Sequence, residues 1–246
     1  MVLINGWPLS HEAWSYQLGE LPKHGIRAIA YTCRGFGNSS KSFKGYDYDT
    51  LNLQKVSLVG HSMGGGEVAR YMSRHGGARV DKFAFVSSVM PYLLKTANNP
   101  DGVDKSTFDD IRANLVKDRC AFLQPFGKQF YSAGPLSNPV SQAVLDWTFG
   151  MGSLGAHQAT VACGHAFAET DFRQDLAGIK VPALIIHGAD DKIVPIKNSG
   201  DRMSQHLPHA TYITYDGAPH GLLIIEKDKF NRDLIDFILG TEVRGV

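Results

Sequence analysis

Gly60-His61-Ser62-Met63-Gly64 sets a serine between two glycines, after an apolar run containing Val56, Leu58 and Val59 and before a helical pattern. A strand that turns sharply into a helix presents such a serine at the helix N-terminus. There, backbone N–H groups and the helix dipole favour developing negative charge. So tight a turn tolerates little more than hydrogen on its flanking residues, which accounts for Gly60 and Gly64. A glycine-rich turn can also simply pack closely or cradle a phosphate, but this one has neither the lysine of a phosphate loop nor a full GxGxxG. A serine hydroxyl becomes a useful nucleophile only when a base takes its proton. Among ten histidines, His220 is best placed for that role. It sits in Asp216-Gly-Ala-Pro-His-Gly, a loop between the last apolar run and the last helical pattern. His206-x-x-His209 has metal-pair spacing, but Pro208 intervenes and no third ligand is near, so no metal is expected. His187 and His61 read as packed residues, and His11, His24, His75 and His157 as surface ones.

An imidazole base needs a carboxylate to fix its tautomer and offset its charge. Ala183-Leu-Ile-Ile-His-Gly-Ala-Asp-Asp-Lys-Ile-Val-Pro places Asp190 and Asp191 just past an apolar run. Adjacent carboxylates in a loop are usually solvated turn formers. With Ser62 upstream and His220 downstream, however, the chain order Ser…Asp…His is that of the α/β-hydrolase triad. The residues alone leave Asp190 and Asp191 open.

These groups need a sheet to hold them. Short apolar runs without polar alternation occur at Val2–Ile4 and at residues 26–31, 56–59, 83–86, 183–187 and 212–215, most of them ending in glycine-rich clusters. Such runs are strands buried on both faces of a parallel sheet. Helical spacing fills residues 12–21, 66–75 and 226–239. The alternation predicts an α/β fold with helices on both faces. Residues 90–178 break the rhythm with aromatic-rich helical pieces at 108–126, 140–149 and 157–172, and read as a helical cap inserted into a core of residues 1–89 and 179–246.

Composition excludes several classes. The chain has 246 residues, 43% hydrophobic and 20% charged, with 25 Lys and Arg against 24 Asp and Glu for a net charge of +1. There is no field for nucleic acid and no apolar run of about 20 residues to span a membrane. Cys33, Cys120 and Cys163 form an odd set without a CxxC pair, and the first residues lack a basic leader pattern. Together these read as a cytoplasmic protein with free thiols.

Six segments then resemble one family: Asn5-Gly-Trp-Pro-Leu-Ser, Arg34-Gly-Phe-Gly-Asn-Ser, Gly60-His-Ser-Met-Gly-Gly-Gly, Ala166-Phe-Ala-Glu-Thr-Asp-Phe-Arg, His187-Gly-Ala-Asp-Asp-Lys-Ile-Val-Pro and Ala218-Pro-His-Gly. In combination they are similar to the cofactor-free chloroperoxidases and aryl esterases of the α/β-hydrolase superfamily, over nearly the whole chain. The resemblance implies Ser62 as nucleophile, Asp191 rather than Asp190 as acid and His220 as base. It implies an oxyanion hole made by the backbone N–H groups of Trp7 and Met63. It also implies hydrolysis of small or aryl esters, with peracid formation from peroxide and lactone or lactam opening as side activities, and no haem, metal or other cofactor. Pro8 resembles members with good perhydrolase activity. A small apolar pocket beneath the cap is expected from Trp7, Phe126, Ile193 and Val194, and its partner is a small-molecule ester.

Two departures carry expectations of their own. The family places two more strands ahead of Val2–Ile4 and an amphipathic helix between Asp49 and Asn52, and neither has a counterpart here. About six parallel strands would then leave residues 26–31 as a bare edge that invites self-association, unless the real molecule has residues the sequence lacks. A non-catalytic or impaired binding protein on the same fold is the alternative reading.

Overall fold

Each short apolar run forms a strand, and all pair in parallel. The computed structural model describes residues 1–41, 56–77 and 79–241. The expectation that a helix is lacking between Asp49 and Asn52 therefore falls outside the described residues. Among the described residues six strands occur: β1 (Val2–Ile4), β2 (Ile29–Tyr31), β3 (Val56–His61), β4 (Val80–Val86), β5 (Ala183–Gly188) and β6 (Thr211–Tyr215). They form one sheet in the order β2-β1-β3-β4-β5-β6. Parallel pairing puts all their C-terminal ends on one side, so the loops after β3, β5 and β6 meet there.

Successive residues of a strand face opposite sides, and the core divides accordingly. Val2, Ile4, Leu58, Phe83, Phe85 and Ile185 pack on one face. Leu3, Val59, Ala84, Val86, Leu184 and Ile186 pack on the other. Among the helices, α1 (Ser15–Glu20) adjoins the second face beside buried Trp14. The first face takes α2 (Met63–His75) through Val68, Ala69 and Met72.

Between β4 and β5 lie α3 (Lys105–Lys117), α4 (Arg119–Phe130), α5 (Gln142–Ser153), α6 (His157–Glu169) and the short α7 (Arg173–Leu176). After β5 come α8 (Gly200–His206), α9 (Leu222–Ile225) and α10 (Lys227–Leu239). On the second face α10 seats Phe230, Leu234 and Phe237. This is the α/β-hydrolase fold, with a helical insertion over the C-terminal end of the sheet.

Some boundaries differ from the sequence reading. The single helix expected over 108–126 is two, because Asp118 leaves helical geometry (φ −158°, ψ 94°) and its carboxylate accepts from the Ala121 N–H at 3.0 Å, capping α4. The expected strand over 26–31 begins only at Ile29, since Gly25, at φ 74°, ends a 3-10 turn and Ile26 still donates to the Leu21 carbonyl. Among the described residues β2 is the sheet edge, and Ile29 is 47% exposed there. Among the described residues, no helix is long and apolar enough to cross a membrane.

Candidate active site

Ser62 follows β3 and caps α2 with φ 53° and ψ −120°, a left-handed conformation that strains any residue with a side chain. Its neighbours permit it. A Cβ on Gly60 would fall 2.4 Å from the Gly64 carbonyl oxygen, and one on Gly64 would fall 2.6 Å from that of Ile4. Backbone bonds then fix the turn: Ser62 N–H donates to Val86 O at 2.9 Å, and Gly65 N–H donates to Ser62 O at 3.1 Å.

The β1 loop comes equally close. A Cβ on Gly6 would sit 2.7 Å from Ser62 Cβ, so the Gly6–Trp7 peptide lies beside the serine. Asn5 holds this loop from within, its Nδ2 donating to Gly6 O at 3.2 Å and Leu9 O at 2.7 Å. Among the described residues neither the Trp7 nor the Met63 amide donates to another group of the protein. Met63 opens α2, where the first N–H groups lack helical partners.

Asp191 and His220 arrive from the loops after β5 and β6. His220 Nδ1 lies 2.6 Å from Asp191 Oδ2, with both side chains buried. Asp191 Oδ1 accepts from the Ile193 N–H at 2.9 Å and the Val194 N–H at 2.8 Å. Burial opposes ionisation of Asp191, but His220 and His187 outweigh it and hold the carboxyl well below the usual carboxylate range. Asp190, in contrast, is exposed. His61 donates from Nε2 to the His220 carbonyl oxygen at 3.2 Å. Burial, reinforced by His220, pushes its pKa down to about 3, so its ring stays neutral.

A cavity of about 300 Å³ opens over Ser62. Trp7, Phe126, Ile193 and Val194 all line it, joined by Phe122 and Phe167, which the sequence reading did not single out. The Trp7 ring meets Phe126 edge-on at 5.3 Å and Phe167 at 5.6 Å, and its Nε1 donates to Thr160 O at 3.0 Å. His187, read as a packed residue, is buried but also touches Asp191: its Nε2 lies 3.4 Å from Oδ2. His209 faces the Val181 carbonyl oxygen. Among the described residues, no cluster of three or more His, Cys, Asp or Glu side chains could hold a metal ion. Cys33 and Cys163 are buried free thiols and Cys120 is exposed.

A hydroxyl on a strained turn at the wall of an apolar cavity, a buried imidazole on a carboxylate and two unused amides are the groups of a candidate hydrolase site. The chain belongs to the alpha/beta hydrolase fold family, whose sequence profile matches residues 1–227. Within it, the chain is similar to a non-heme chloroperoxidase of Kitasatospora aureofaciens, 38% identical over 97% of this chain and 91% of that protein. It is likewise similar to a bifunctional esterase/perhydrolase of Acinetobacter calcoaceticus, 37% identical over 95% of this chain and 89% of that protein. Among solved structures, a bromoperoxidase from Bacillus anthracis superimposes with a TM-score of 0.93 at 40% identity, covering 97% of this chain and 91% of that one.

Proposed function

We propose that this hydrolase cleaves small carboxylic esters, aryl esters included, through an acyl-enzyme formed on Ser62. The observation that carries this reading is the 2.6 Å contact between His220 Nδ1 and Asp191 Oδ2, in a chain whose strained Ser62 lies on a cavity wall. With Nδ1 committed to the carboxylate, Nε2 is the nitrogen that takes the Ser62 proton as Oγ attacks the ester carbonyl. The Trp7 and Met63 amides receive the oxyanion. His220 then returns its proton to the departing alcohol, and water attacks the acyl-enzyme to release the acid.

Hydrogen peroxide in place of water would release a peracid, which oxidises halide away from the site. The names of the chloroperoxidase and esterase/perhydrolase relatives support that side activity, and lactones and lactams present the same acyl carbon. The chemistry uses only side chains and backbone amides. The apolar lining favours small apolar acyl groups and aryl alcohols, which makes the partner a small-molecule ester rather than nucleic acid or membrane.

Steady-state hydrolysis of short-chain aryl esters tests the reading. Ser62→Ala should remove nearly all activity while the protein stays folded. Activity retained in that variant would refute it.

A further inference from the structure

We propose that His187 is a positioning residue that holds both the Asp191 carboxylate and the cavity wall at Val194, through a single shared N–H. The proposal rests on the reading of Ser62, Asp191 and His220 as the reacting groups. His187 Nε2 lies 2.9 Å from the Val194 carbonyl oxygen, which can only accept, so Nε2 carries the ring proton. The same nitrogen is 3.4 Å from Asp191 Oδ2, so one N–H serves both oxygens, the carbonyl more closely. Nδ1 is buried and without a hydrogen-bond partner among the described residues.

An unpartnered buried nitrogen is costly. A position needing only volume would be better served by leucine, so the imidazole is explained by what Nε2–H does. What it does is close a three-residue ring. Val194 accepts from His187 through its carbonyl and donates to Asp191 Oδ1 through its N–H. Asp191 Oδ2, the oxygen that holds His220, faces His187 as well. The rotamer of the carboxylate and the segment carrying Ile193 and Val194 are thereby set together.

The surroundings leave the ring little freedom. From α8, a Cβ on Gly200 would fall 3.0 Å from His187 Cβ and Cγ. On β6, His187 pairs with Thr214, and Tyr212 two residues earlier is bonded to Asp201 of α8. The titratable groups that sense the ring are Asp191 and, from β3, His61.

The test compares His187→Leu, which removes the donor, with His187→Gln, whose amide can restore it. Rates are normalised to sites titrated with a fluorophosphonate, so partial unfolding does not enter. The leucine variant should lose about ten- to a hundredfold in kcat per titrated site with a smaller change in KM. Its acid limb of kcat/KM should also move to higher pH, because a carboxylate with one donor fewer holds the His220 proton more firmly. Glutamine should recover both. A leucine variant with the wild-type limb and kcat, or a glutamine variant no better than leucine, overturns the proposal.

If His187→Leu does not fold, ¹⁵N NMR of the wild-type protein decides. Protonation at Nε2 with Nδ1 bare supports the proposal, and the opposite tautomer overturns it. That readout needs no activity, so it separates failure of this proposal from failure of the Ser62 reading, which Ser62→Ala tests.

Discussion

The ring of His61 donates from Nε2 to the backbone carbonyl oxygen of His220, 3.2 Å away across the sheet end. One residue of the nucleophile turn thus braces the loop that carries the proposed base, and Trp14 and Phe130 hold its ring edge-on at 6.3 and 5.9 Å. His61→Gln can keep this donor and should keep most of kcat. His61→Ala should lose about a hundredfold through misplacement of His220. Equal rates for alanine and wild type would show that the brace is idle.

The same residue makes stability depend on pH. Unfolded His61 takes a proton below about pH 6.5, whereas the folded ring, with its pKa near about 3, does not. Its contribution is therefore complete above about pH 6.5 and is lost progressively as the pH falls toward about 3, at no more than about 1.4 kcal/mol per pH unit for one proton. Urea midpoints at neutral and mildly acidic pH should show this fall in the wild type and a shallower one in His61→Gln. Parallel slopes would contradict it.

The two aspartates should separate cleanly. Asp191 is buried with both oxygens engaged, while Asp190 is exposed. Asp191→Asn should cost about 10⁴ in kcat by loss of the correct His220 tautomer, and Asp190→Asn less than about tenfold. Comparable losses at both positions would remove Asp191 from the mechanism.

The candidate groups could be picked out in the sequence because each is local: the Gly60–Gly64 spacing, an aspartate pair just past β5, with Asp190 and Asp191 left open by the residues alone, and a histidine just past β6. The strands were legible because each is built on a short, mostly apolar run. The helical insertion was less so. Asp118 reads as one more polar residue of an amphipathic helix until its side chain is seen capping α4. Phe122 and Phe167 line the cavity only because of how α4 and α6 are rotated, which periodicity does not fix. The contact of His187 with Asp191 depends on the fold of the Gly188–Val194 loop, where no spacing rule applies.

Cavity shape gives a further expectation. Phe126 packs against Trp7 and lines the cavity over Ser62. Phe126→Ala should raise kcat/KM for bulkier acyl esters relative to acetate esters by about tenfold or more. Wild-type enzyme should prefer short aryl esters to long-chain triglycerides. The reverse preference would mean that this cavity does not bind the acyl group.

The β2 edge predicts self-association. Ile29, on the outermost strand among the described residues, is 47% exposed, and an apolar edge templates pairing with another chain. Light scattering should find oligomers that Ile29→Lys shifts toward monomer. A wild-type monomer at all concentrations would contradict this.

The central claim, that Ser62 is an activated nucleophile, is tested most directly by mapping a fluorophosphonate adduct. Only a serine with a working base and oxyanion site reacts rapidly. One adduct per chain is expected, on the peptide containing Ser62, formed far more slowly in Asp191→Asn and absent in Ser62→Ala. No labelling of the folded wild-type protein, or an adduct on another residue that persists in Ser62→Ala, would contradict it.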